Sequence, residues 1–190
     1  MNQRQPHFRD SLQLSNSVAR DARWEALYRQ AWPDVVGVEY ITDVTIQRHG
    51  IDRLLYFVGR GPIAVEEKYD AQATNNFFLE YWSAVETNTP GWIRKPLRCD
   101  YFVYVCPNIY NAYILPWPEL QAAWIAQADH WVKTYGPKHV RNPAYTTVGV
   151  AVPIEEVLIE VPGWRVFDWP EIEPEVKSVF SLGGREYSRY

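Results

Sequence analysis

The sequence predicts an α/β fold with a mixed central β-sheet flanked by helices. Three observations carry this. Residues 36–68 hold three apolar, β-branched runs with a glycine-proline turn between the last two. Segments with helical spacing stand on either side of that block. Further short apolar runs then alternate with another helical stretch, the order expected of a layered sheet with helices on its faces.

Taken in order, residues 11–31, "SLQLSNSVARDARWEALYRQA", place Leu14, Val18, Trp24, Leu27, Tyr28 and Ala31 at roughly helical spacing, and Trp32-Pro33 stops the helix because proline cannot continue it. Residues 36–50 predict a first strand ending at Gly50. Residues 51–58 and 62–68 predict the second and third, joined by "GRGP". Residues 75–88, "NNFFLEYWSAVETN", predict a helix with Phe78, Tyr81, Trp82 and Val85 on one side. Residues 100–107 and 111–117 predict a buried strand and its hairpin partner, and residues 118–136 a second clear helix, started by Pro118 and ended by Gly136. A strand follows at 144–152, a segment open to helix or strand at 154–161, and an edge strand at 163–169. The division is one domain over residues 1–170 and a loosely held polar tail over 171–190.

Composition narrows the function classes. At 190 residues with 47% hydrophobic and 22% charged side chains, the chain is globular and large enough for a real core. No apolar run approaches the roughly 18–20 residues of a membrane-spanning helix, and the polar N-terminus lacks a signal-peptide core, so a soluble, cytoplasmic protein is expected. Cys99 and Cys106 lack disulfide or zinc-site patterning and read as buried small hydrophobes. The net charge is −4, but residues 155–175 hold seven acids against Arg165 alone, which leaves the rest of the chain net positive. The basic stretches 91–98 and 133–141 lie in that remainder, so a phosphate-bearing partner is compatible with the charge. Nine Trp, thirteen Tyr and seven Phe are scattered along the chain, which favours core packing over a stacking surface.

The charged residues at the ends of the second and third strands stand out. Asp52 opens one apolar run, and Glu66, Glu67 and Lys68 close the next, where burying a charge is expensive. Strand alternation puts Glu66 and Lys68 on one face and Glu67 on the other, with Ile63 and Val65. The turn at 59–62 folds the strands together, so Asp52, Glu66 and Lys68 meet at one end of the sheet. Two converging carboxylates make an oxygen site for Mg²⁺. Such a metal lowers the pKa of a bound water, and a neighbouring lysine orients it or shares transition-state charge.

Asp52 followed by "IAVEEK", with Glu66-x-Lys68, resembles the D…ExK signature of the PD-(D/E)XK phosphodiesterase superfamily, the restriction-endonuclease-like nucleases. In that family a helix precedes a β-meander bearing the acids on its second and third strands, and a helix and a further strand follow. The resemblance covers about residues 11–106, with the later elements as C-terminal elaborations, and it departs from the family pattern in having Ile51 before Asp52. It implies a metal-dependent nuclease, DNA as the most fitting substrate, Mg²⁺ (with Mn²⁺ able to substitute) at Asp52 and Glu66, and Lys68 positioning the attacking water. Glu67, and Glu25 from the first helix, are further candidate ligands; Asp21 lies one turn earlier. Gln47 is a candidate catalytic contact, and Glu80 and Ser83 candidate supports. Arg94, Lys95 and Arg98, with Arg48 and His49, are candidate contacts to nucleic-acid phosphates. Cleavage of both strands of a duplex implies a homodimer or two binding events. The alternative is a non-catalytic module on the same fold that binds nucleic acid or protein; an intact acid-lysine set argues against it, because a scaffold has no reason to keep buried charges unpaired.

Overall fold

The computed structural model describes residues 21–72 and 75–169. The first helix, α1 (Ala22–Ala31), is capped by Asp21, whose side chain accepts the Arg23 amide at 2.9 Å. Its buried stripe, Trp24, Leu27, Tyr28 and Ala31, has the i, i+3, i+4, i+7 spacing of one helix face. The predicted turns before residue 21, and the tail beyond residue 170, lie outside the described residues.

Strands β1 (Val35–Tyr40), β2 (Arg53–Phe57) and β3 (Arg60–Tyr69) form the expected antiparallel meander. The predicted first strand is shorter than expected: beyond Tyr40 the chain leaves the sheet and makes one helical turn, α2 (Val44–Gln47), capped by Asp43. Asp43 offers an acceptor to the orphan amides of a helix start, and that local bond wins over the β-branched residues' strand preference.

Strand β6 (Tyr101–Cys106) lies parallel to β3, and β7 (Asn111–Pro116) and β10 (Arg165–Asp168) extend the sheet, giving the six-stranded order β1-β2-β3-β6-β7-β10. The edge position expected of the last strand is observed. A second, four-stranded sheet has the order β5-β4-β9-β8. It contains β4 (Asn76–Ala84), β5 (Thr89–Pro90), β8 (Pro137–Arg141) and β9 (Thr146–Pro153).

The segment predicted as a helix over 75–88 is therefore a strand. Phe77 and Leu79 are buried while Phe78 and Glu80 are half-buried, a period of two, and Phe77 pairs with Val152 and Leu79 with Val150. A run with an aromatic or aliphatic side chain at nearly every position satisfies both periods, and pairing with β9 decides between them. The segment left open at 154–161 is helix α4 (Ile154–Glu160), and α3 (Trp117–Tyr135) matches its prediction.

The six-stranded sheet is covered on both faces. On one, α1 packs Trp24 and Leu27 against Leu55, Val65, Val103 and Ile114, with Trp169 edge-on to Trp24. On the other, Phe102, Tyr104 and Leu115 meet Phe77 and Val150 of the second sheet, Leu120 and Trp131 of α3 and Val157 of α4. Both cysteines are free and buried. Each large side chain removed fully from water contributes about 1.5–3 kcal/mol, so these two layers hold the sheet on both faces, with β3 anchored through Val65 on the α1 side. Among the described residues, no helix is long and apolar enough to cross a membrane.

Candidate functional site

The antiparallel register that pairs Arg53 with Val65 sets Asp52 opposite Glu66, on the face shared with Ala64. Backbone bonds fix Asp52 on both sides: its amide donates to the Val65 carbonyl and its carbonyl accepts from Ile41, each at 2.8 Å. Its Oδ2 accepts the Glu67 amide at 2.9 Å, and its carboxyl hydrogen-bonds that of Glu66. The expectation that Glu66 rather than Glu67 meets Asp52 matches this geometry.

Glu66 is the least satisfied group of the site. Its Oε2 is buried with no hydrogen-bond partner among the described residues. Burial, and then the charge of Asp52, push the Glu66 carboxyl up to about 9, against a smaller opposing pull from Lys95. Burial also raises Asp52, while the Glu67 amide and the Glu66 carboxyl hold it back. Glu66 is thus the donor in the bond between the two carboxyls and Asp52 the acceptor.

Glu67 faces the other way. Its Oε1 accepts the Tyr28 hydroxyl at 2.6 Å and pairs with the Arg53 Nε. The Arg53 and Glu67 side chains are only 7% and 6% exposed. Burial pushes Glu67 up to about 7, opposed first by Arg53 and then by Tyr28. The Arg53 guanidinium also lies 5.3 Å from the Tyr40 ring centroid and 5.9 Å from that of Trp24. The Glu67 carboxylate thus serves a buried ion pair on the α1 side; what it gives to the acid pair is its backbone amide.

Lys68 follows Glu66 on the same strand face by alternation and is half-buried. It takes no part in the four ion pairs of the described residues, which are Arg23–Asp21, Arg29–Glu25, Arg53–Glu67 and Arg60–Asp34. Lys95 reaches the pair electrostatically from the chain that enters β6. That chain packs on the loop before β2: the Arg98 amide donates to the His49 carbonyl at 2.7 Å. Gly50, at φ 79°, lies so close that an added Cβ would sit 2.7 Å from the Leu97 Cβ. The contact brings the backbones of His49 and Arg98 together, and Arg48, His49 and Arg98 are all exposed. Arg94 is exposed one residue before Lys95, its guanidinium 4.2 Å from the Trp82 ring centroid.

The remaining predicted residues stand elsewhere. Glu25 pairs with Arg29 at 2.7 Å on the open face of α1, both about half exposed. Gln47 donates to the Ile41 carbonyl at 2.8 Å and to the Tyr40 hydroxyl at 3.3 Å, bracing the loop that leads to Asp52. The Ser83 hydroxyl does bond Glu80, but across an irregularity in β4 rather than along a helix. Arg53 and Tyr28 were not singled out from sequence. The signal for Arg53 was present: a guanidinium inside an apolar strand requires a buried acid.

Among the described residues, no group of three or more His, Cys, Asp or Glu side chains is arranged to hold a metal ion. The donor set is the Asp52–Glu66 pair, and the buried unpartnered Glu66 oxygen fits a hard cation that takes its remaining ligands from water and phosphate. Comparison with protein-family models, curated proteins and solved structures finds no match to this chain.

Proposed function

We propose that this chain is a Mg²⁺- or Mn²⁺-dependent nuclease of the PD-(D/E)XK type that hydrolyses phosphodiester bonds, DNA being the substrate of first choice. The single observation that carries the reading is the half-buried Asp52–Glu66 pair where β2 meets β3, with one Glu66 oxygen buried and unpartnered among the described residues. The antiparallel meander with a preceding helix and β6 parallel to β3 supports it, although strand β4 stands where the family pattern has a helix.

Asp52 and Glu66 would hold the cation, which when bound polarises phosphate and acidifies a water. The chain's own residues set the geometry. The Glu67 amide holds Asp52 in place, and Arg53 and Tyr28 hold Glu67. Lys68, outside the ion pairs of the described residues, would orient the attacking water. Hydrolysis adds that water across one P–O ester bond: its oxygen joins phosphorus, the bond to one sugar oxygen breaks, and a proton ends on the departing oxygen.

The test is incubation of labelled single-stranded, duplex and branched DNA with the protein in Mg²⁺, Mn²⁺ or EDTA. Cleavage in either metal, absent in EDTA and lost in Asp52→Asn, is the expected outcome. Binding without cleavage under every condition would leave only the binding module.

A further inference from the structure

The basic stretches 91–98 and 133–141 are far apart in sequence but meet in space. Arg94, from the first, and Lys133, from the second, line the same open groove of about 460 Å³. Tyr81 and Trp124 also line it, their rings stacked at 5.8 Å with planes 22° apart. Asp129, one helical turn before Lys133 on α3, lines it as well. Arg94 is fixed over Trp82, and the next residue, Lys95, is the cation that acts on Glu66. The 91–98 stretch thus supplies both a cation of the groove and the one that acts on Glu66.

We propose that this groove holds one unstacked nucleotide of a single strand; that the same strand is the one cut at Asp52 and Glu66 rests on the nuclease reading. The volume falls within the roughly 300–1,000 Å³ of single small-ligand sites. A phosphate alone suits Arg94 and Lys133 but is repelled by Asp129. A nucleotide satisfies all three, since its base carries N–H donors that a carboxylate accepts. The Tyr81 ring and the flat Arg94 guanidinium offer surfaces for a base face. An intact duplex keeps its base faces stacked inside and cannot use them. The substrate class is therefore single-stranded, or frayed or branched, nucleic acid.

Fluorescence anisotropy on the full chain in EDTA tests this, with a short labelled single strand of DNA and the same strand annealed as a duplex. The single strand should bind about tenfold tighter or more. Arg94→Gln and Lys133→Gln should each weaken single-strand binding about five- to tenfold and lower its salt slope by about 0.7, the value for one phosphate contact. Lys138→Gln, an exposed cation on β8 outside the groove, should change neither. Equal affinity for the duplex, wild-type affinity in both groove variants, or no binding at all would overturn the proposal. If both groove variants bind and cut like the wild type while Asp52→Asn does not cut, the groove fails and the nuclease reading stands. If the strand binds through Arg94 and Lys133 but is never cut, the groove stands and the nuclease reading fails.

Discussion

Glu66 and Glu67 are neighbours on β3, equally out of place in an apolar strand, and the fold treats them in opposite ways. Glu67 turns toward α1 and finds both a cation and a hydroxyl. Glu66 turns toward the second sheet and finds another acid, with one oxygen left unpartnered among the described residues. A buried charge with partners is accounted for by the fold that contains it. An acid set against a second acid has its charged form disfavoured by burial and by that neighbour, and such sites are where function is sought. On the proposed reading, the difference marks Glu67 as the structural glutamate and Glu66 as the functional one.

The largest expected effect breaks the comparison on the Glu66 side. Asp52→Asn and Lys68→Ala should each lower cleavage by about a hundredfold or more, the scale of removing one group that acts only in the transition state. Folding, followed by circular dichroism and urea titration, should remain. Loss of cleavage together with loss of structure would assign Asp52 to the scaffold instead.

The Glu67 side should respond in the reverse manner. Glu67→Ala leaves the Arg53 guanidinium buried and strips Tyr28 of its acceptor, so stability should fall by about 3–5 kcal/mol in urea unfolding. Glu66→Gln should cost far less, because the amide still donates to Asp52 and no charge is orphaned. Similar losses from both substitutions would erase the distinction.

Much of this contrast was legible in the sequence. The "GRGP" turn and the strand period placed Asp52 opposite Glu66 and sent Glu67 to the other face. The partners of Glu67 were not legible, because Tyr28 lies 39 residues away and Arg53 meets it across two strands, a contact only the register creates. Residues 75–88 misled for a different reason: contiguous aromatics hide the period. Strand β8, "PKHVR", is exposed at all five positions and exists only through its pairing with β9, so no pattern marks it. The convergence of the 94–98 and 133–141 stretches is likewise a property of packing.

pH sharpens the comparison further. With Glu66 raised from 4.5 to about 9, the folded state binds more protons than the unfolded state between those values. Stability therefore falls as pH rises through that window, by at most about 1.4 kcal/mol per pH unit. Glu67, raised to about 7, adds the same sign below neutrality. Urea midpoints at pH 5.5, 7 and 8.5 should decline in wild type. In Glu66→Gln they should decline only up to about pH 7 and then level off. A wild-type curve that rises between pH 7 and 8.5 would show that Glu66 is ionised in the folded protein.

Metal should act on the same pair from the other direction. A divalent cation binds the deprotonated carboxyls, so millimolar Mn²⁺ should stabilise the wild type more at pH 8.5 than at pH 6. At about tenfold excess over its Kd the gain is about 1.4 kcal/mol. Thermal melts of wild type and Asp52→Asn with and without Mn²⁺ measure it. An unchanged wild-type melt would speak against a metal at this pair.

The smallest effect concerns a third acid, Glu25, which the family resemblance nominates as a ligand and the structure pairs with Arg29. That pair lies on the open face of α1 with both side chains about half exposed, and exposed i, i+4 pairs on helices contribute about 0.3–0.5 kcal/mol. Glu25→Gln should therefore change stability by less than about 0.5 kcal/mol and leave cleavage and the Mn²⁺ shift at wild-type values. The tyrosine three residues on, Tyr28, is the contrasting position on the same helix: its hydroxyl holds Glu67, so Tyr28→Phe removes a buried partner and should cost about 1–3 kcal/mol. If Glu25→Gln instead abolishes the Mn²⁺ shift while Tyr28→Phe changes nothing, α1 contributes a ligand rather than a brace, and the division between the two faces of β3 does not hold.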